Sequence, residues 1–177
     1  GVLGLVEYLG CFPLAVAQAA EYARVYHTET PGLLQQELAQ AGLTLRKGRR
    51  QTRKDEYPAC FPEVVKVSLD AILKSEDADA EDAGQALRKL ALLDTVAIPL
   101  DLLTAQEKRA VNLLQEHSLV TVDDKGNAAM HALTQRVVRE HLTSKAQRTA
   151  ILTQVAAVLE AKLAKFDRQE PVTYFIG

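Results

Sequence analysis

The sequence predicts a mainly α-helical fold: a small helical bundle, then a winged-helix domain with a two-stranded hairpin, then a C-terminal helix. Three observations carry this. Apolar residues recur at helical spacing over most of the 177 residues. The stretch SEDADAED (75–82) holds five acids and no large apolar residue, and it reads as a domain boundary. Beyond it the periodicity switches once, from 3.6 to 2, at residues 119–131. The domains expected are therefore 1–75, 76–143 and 144–177, the last a C-terminal helix and tail leading into further chain.

The elements follow in order. Gly10-Cys11-Phe12-Pro13 reads as a turn, and Pro13 suits the first position of a helix, where its missing N–H costs nothing. LAVAQAAEYARVY (14–26) is apolar on nearly all sides, which predicts a buried helix. Thr30-Pro31 is a cap followed by proline; Leu33, Leu34 and Leu38 form the inward stripe, and Gly42 is expected to end that helix. Arg46, Lys47, Arg49, Arg50, Arg53 and Lys54 then crowd six basic residues into nine positions. No aromatic is interleaved, so a solvated loop is expected rather than an anion or nucleic-acid contact. From Pro62, the inward face is Val65, Leu69, Ile72 and Leu73.

In the second half a helix runs from about Glu81 to Asp94, with Ala83, Leu87, Leu90 and Ala91 inward. Ala97-Ile98-Pro99 breaks it. A helix from about Ala105 to His117 buries Ala110, Val111 and Leu114. Leu119 to Val122 and Ala128 to His131 form the hairpin around the turn 123–127, and a helix follows from about Leu133 to His141. The last helix, about Ser144 to Phe166, carries Ile151, Val155, Val158, Leu159 and Leu163.

Composition excludes several classes. Residues 1–75 carry nine basic and eight acidic groups, and residues 76–177 carry twelve and fifteen. Neither balance suits a polyelectrolyte partner, so nucleic acid is not expected. No apolar run approaches the ~20 residues of a membrane span, and no charged segment leads an apolar one as in a secretory leader. Cys11 and Cys60 form no CxxC pair and read as small buried thiols in a reducing, cytoplasmic setting. The chain begins at Gly1 and its one methionine is Met130, so a piece of a longer protein is expected. GxxxxGK[ST], GxGxxG, GxSxG and HExxH are all missing from these residues. The histidines 27, 117, 131 and 141 lack zinc-ligand spacing. His27 reads as a surface residue. His117 and His141 lie near helix C-termini, where a partly positive imidazole is favoured. No catalytic or metal-binding residues are expected.

Two stretches together resemble a known class. LGCFPLAVAQAAEY (9–22) is similar to the G-x-P region of the NB-ARC class of STAND signalling NTPases. MHALTQRVVREHL (130–142) resembles the MHD-type region of the winged-helix domain in that class. It is nearest to variants reading His-x-Leu-x-Gln-x-Val-Val-Arg, often found beside tetratricopeptide repeats. EVVKVSLDAIL (63–73) and AIPLDLL (97–103) also look like landmarks of the class, in the expected order. The resemblance covers roughly residues 5–143. It implies that Pro13 packs against an adenine, and that His131 reaches the β-phosphate of ADP. It also implies a partner, the nucleotide-binding core with its P-loop and Mg²⁺-binding acid, elsewhere in the same parent protein. In such proteins ADP closes the molecule; exchange for ATP frees the winged helix, and the parent forms homo-oligomers. This chain would then be a regulatory half-module without chemistry of its own.

There are departures from the pattern. Ala132 stands where the class has Asp, which weakens the expected lock, and Gly10-Cys11-Phe12-Pro13 is one residue wider than the commonest spacing. Two other readings stay open from the residues. One is a winged-helix DNA-binding regulator, against which the near-neutral AQEKRAVNLLQEHS (105–118) argues. The other is a helical scaffold or adaptor.

Overall fold

The computed structural model describes residues 1–26, 30–46 and 61–166, and over these the chain is mainly helical with one small antiparallel sheet. The basic cluster after Arg46, together with His27 and Cys60, lies outside the described residues.

Helix α1 spans Val2–Tyr8 and α2 spans Pro13–Val25. Between them Gly10 (φ 63°) and Cys11 (φ 53°) take the left-handed conformation, and Phe12 is extended before Pro13 opens α2. Cys11 is exposed, not buried as expected, because it stands in this turn outside either helix. α3 spans Pro31–Arg46, and Thr30 Oγ1 accepts from the Leu33 N–H at its start. It passes through Gly42 instead of ending there. A mid-helix glycine costs only about 1 kcal/mol, and packing against the next helix outweighs that. Leu34 and Leu38 are buried, whereas Leu33 falls on the outer side. α4 spans Phe61–Lys74 and buries Phe61, Val64, Val65, Leu69 and Ile72; Leu73 is half-buried.

The acidic stretch forms a short turn and the first turn of α5 (Ala80–Ala91). Ile98–Pro99 does more than interrupt a helix: it is strand β1. β2 is Thr121–Val122 and β3 is Asn127–Ala129. The sheet has three strands in the order β1–β3–β2, not the two expected, with Ile98 opposite Ala128 and Thr121 opposite Ala129. Pro99 is tolerated because β1 is an edge strand. Asp123 builds the β2–β3 turn. Its carboxylate accepts from the backbone N–H groups of Lys125 and Asn127, and Gly126 (φ 76°) closes the reversal. The Asn127 bonds hold that carboxyl below the usual range.

A 3-10 turn at Leu100–Leu102 leads into α6 (Ala105–Glu116). Thr104 and Glu107 cap α6 reciprocally, each side chain accepting from the other's backbone N–H. Glu107 also receives Lys89 of α5 at 2.7 and 2.8 Å, an ion pair shut away from solvent. α7 spans Ala132–His141 and α8 spans Lys145–Phe166, with Ser144 and Gln147 capping α8 in the same reciprocal way. In α8 only Ile151 and Val155 of the expected stripe are buried. Val158 is half-buried, and Leu159 and Leu163 are exposed, because they lie on a neighbouring stripe.

The buried apolar side chains of α2, α3 and α4 form one cluster with those of α5, α6, β3 and α7. Phe12 meets Phe61 edge-on at 5.4 Å, which fixes the start of α2 against α4.

Candidate functional site

The residues after β3 decide what His131 can do. Its backbone forms the cap of α7, and its Nδ1 accepts from the Leu133 N–H at 3.2 Å. An accepting Nδ1 places the proton of the neutral ring on Nε2. His131 is exposed, so this Nε2–H is a donor standing beside the N-terminus of α7, where anions are favoured.

The following residues explain the rest of the HALTQRVV run. Thr134 is buried and its hydroxyl accepts from Gln18 Nε2 of α2 at 3.3 Å. Gln135 is buried and its amide donates to the carbonyls of Leu90, Leu93 and Asp94, satisfying the end of α5. Val137 and Val138 enter the core.

Gln18 is the tie that sequence reasoning missed. It is a polar residue on a buried face of α2. Its amide also donates to the Ser118 carbonyl at 3.3 Å, joining α2 to the corner between α6 and β2. Ser118 holds that corner with a left-handed φ of 53°, a conformation that costs a residue with a side chain about 1–2 kcal/mol. The one available signal was a glutamine interrupting an otherwise apolar run.

His117 also departs from expectation. Instead of a charged imidazole at an exposed helix end, it is 2% exposed at the C-cap of α6. Its Nε2 lies 3.2 Å from the Tyr26 hydroxyl, and the two rings are 5.2 Å apart. Burial pushes its pKa below the ordinary 6.5, opposed in part by Glu21.

These contacts bring four segments around a groove of about 460 Å³. One wall is Leu14, at the start of α2. The others are Thr95-Val96 before β1, Ser118 to Thr121 at the α6–β2 corner, and Ala129 to Ala132 at the β3–α7 junction. His131 stands on its rim among largely apolar side chains. Pro13 is exposed and is not part of the lining; its neighbour Leu14 is. The structure thus brings Leu14, near the start of α2, and His131 to one groove, though they are 117 residues apart in sequence.

Among the described residues no cluster of His, Cys, Asp or Glu has the makings of a metal site. None of their helices is long and apolar enough to cross a membrane. No family model, curated protein or solved structure matches the chain.

Proposed function

We propose that this chain is the regulatory half-module of a STAND/NB-ARC signalling ATPase. It would close over ADP bound to a P-loop core of the same cytoplasmic parent protein, and release on exchange for ATP and Mg²⁺ to permit oligomerisation. The observation that carries the reading is the shared groove. The start of the helix resembling the G-x-P region and the histidine resembling the MHD region line one concavity. Its volume lies within the range of small-molecule sites.

The element order supports the winged-helix part of the reading. α5, β1, the 3-10 turn, α6, β2 and β3 run in sequence, with β1 and β2 flanking β3. The residues fit half of a nucleotide site. The apolar walls suit a base, and the His131 Nε2–H suits a phosphate oxygen. A phosphate cradle of backbone N–H groups would come from the core. The DNA-binding alternative is disfavoured because the α6 cations are already engaged: Lys108 binds Asp101, and Arg109 lies 3.7 Å from Asp79.

One hydrogen bond to a charged group is worth about 1.5–3 kcal/mol. The isolated chain should therefore bind ADP weakly, with Kd above about 1 mM. The test is a ¹⁵N NMR titration of the 177 residues with ADP. Small shifts confined to Leu14, Ser118–Thr121 and His131–Leu133 are expected. Shifts scattered elsewhere, or none at millimolar ADP, would leave the scaffold reading in its place. In the parent, losing the His131 bond would speed ADP release by about 10- to 150-fold.

A further inference from the structure

His117 sits where α2 meets the corner that forms one wall of the groove. The imidazole is buried, its Nε2 is hydrogen-bonded to the Tyr26 hydroxyl, and its Nδ1 is buried with no hydrogen-bond partner among the described residues. The neutral ring tolerates this in the tautomer that donates from Nε2–H to the Tyr26 oxygen, because Nδ1 then carries no proton. An imidazolium does not: both nitrogens then donate, and Nδ1–H has no acceptor to meet it. Charge and an orphaned donor would be buried together, the costliest state for such a group.

We propose that His117 is a pH-sensitive fastener: neutral, it clamps α2 to the α6–β2 corner, and on protonation it lets the two part and widens the groove. Among the described residues no counterion is in contact with the imidazole. From α2, Glu21 favours the cation and Arg24 opposes it. Tyr26, the C-cap of α2, stays a neutral phenol because burial, followed by the charge of Glu116 on α6, raises its pKa. Glu37 of α3 and Asp70 of α4 act on Tyr22, whose ring stacks on Tyr26 at 4.9 Å, and not on the imidazole. Burial is the dominant influence on His117 and it disfavours the charge.

The direction of the effect follows. Unfolded or undocked, His117 takes its proton near the ordinary 6.5; docked, it resists until lower pH. The undocked state therefore binds more protons in that window, and docking weakens as pH falls below 6.5. The loss approaches tenfold in the docking constant per pH unit, down to the lowered pKa of the docked form. Gln18, which bonds the Ser118 carbonyl, would be released with the same movement, and Leu14 would draw away from Ser118 and Leu119.

The test compares the whole 177-residue chain between about pH 7.5 and pH 5 by histidine-resolved NMR and by hydrogen exchange corrected for intrinsic rates. The His117 ring is expected to titrate below 6.5, and α2 amides to lose protection over that window while α5 amides keep theirs. His117→Gln, which stays neutral, should flatten the α2 profile. A His117 ring titrating at or above 6.5, or α2 protection falling alike in wild type and His117→Gln, overturns the proposal. If His117→Gln does not fold, the wild-type comparison still decides: α2 and α5 changing in step would mean no local fastener exists.

Discussion

At the scale of single residues, His131 and His117 show one side chain type in two opposite settings. His131 is exposed and caps a helix; His117 is buried and joins two. Whatever ligand His131 meets, it has a structural duty in the chain itself. His131→Ala should lower stability by about 1 kcal/mol through loss of the α7 cap, and His131→Asn should restore most of that. Urea denaturation followed by far-UV circular dichroism checks it. Equal midpoints for wild type and Ala would mean the Nδ1 bond contributes nothing. Gln18 gives a second residue-scale expectation. Gln18→Ala removes the donor to both Thr134 and Ser118, leaving the buried Thr134 hydroxyl without this partner. About 1–3 kcal/mol should be lost, measured the same way.

At the scale of elements, α5 and α6 are joined by the Lys89–Glu107 pair, and the same carboxylate caps α6. Lys89→Met would strand a buried carboxylate with its capping contact alone, so a loss of about 3–5 kcal/mol is expected. The loss should shrink when Glu107 is also changed to Gln, which removes the stranded charge. Thermal unfolding of the single and double variants measures this, and an equal deficit in both would argue against a buried charge as the cause. α8 behaves differently. Its outer stripe, with Leu159 and Leu163 exposed, makes no comparable contact. Leu163→Ala should therefore change stability by less than about 0.5 kcal/mol, whereas Ile151→Ala should cost about 2 or more.

At the scale of the whole molecule, the packing is continuous across the acidic turn at 75–79. Ile72 and Leu69 of α4 share one cluster with Leu87, Leu90 and Val138. Residues 1–75 expressed alone would leave the α4 face uncovered, and should show little cooperative unfolding in a urea titration; a sharp, wild-type-like transition would contradict that. The local features were legible in the sequence. Pro13 at the start of α2, Thr30 before α3, the heptad-like faces of α4 and α5, the Asp123–Asn127 reversal and the α7 helix each rest on a few neighbouring residues. Capping, turn chemistry and hydrophobic periodicity act over one or two turns of chain, so a reader of the sequence sees all the participants at once. Other features needed distant partners. Ile98–Pro99 is too short to announce itself as a strand and becomes one only because Asn127 and Ala128 present their backbone groups to it. His117 looks like any histidine at a helix end until Tyr26, 91 residues away, covers it. The groove exists only because Gln18 and the shared core hold the start of α2 beside the β3–α7 junction. Sequence by itself determined the helices and the β2–β3 hairpin of this protein, since those are stabilised locally. The tertiary structure alone decided which polar groups were sealed from water and which surfaces met, since burial and long-range hydrogen bonding depend on where the rest of the chain has gone.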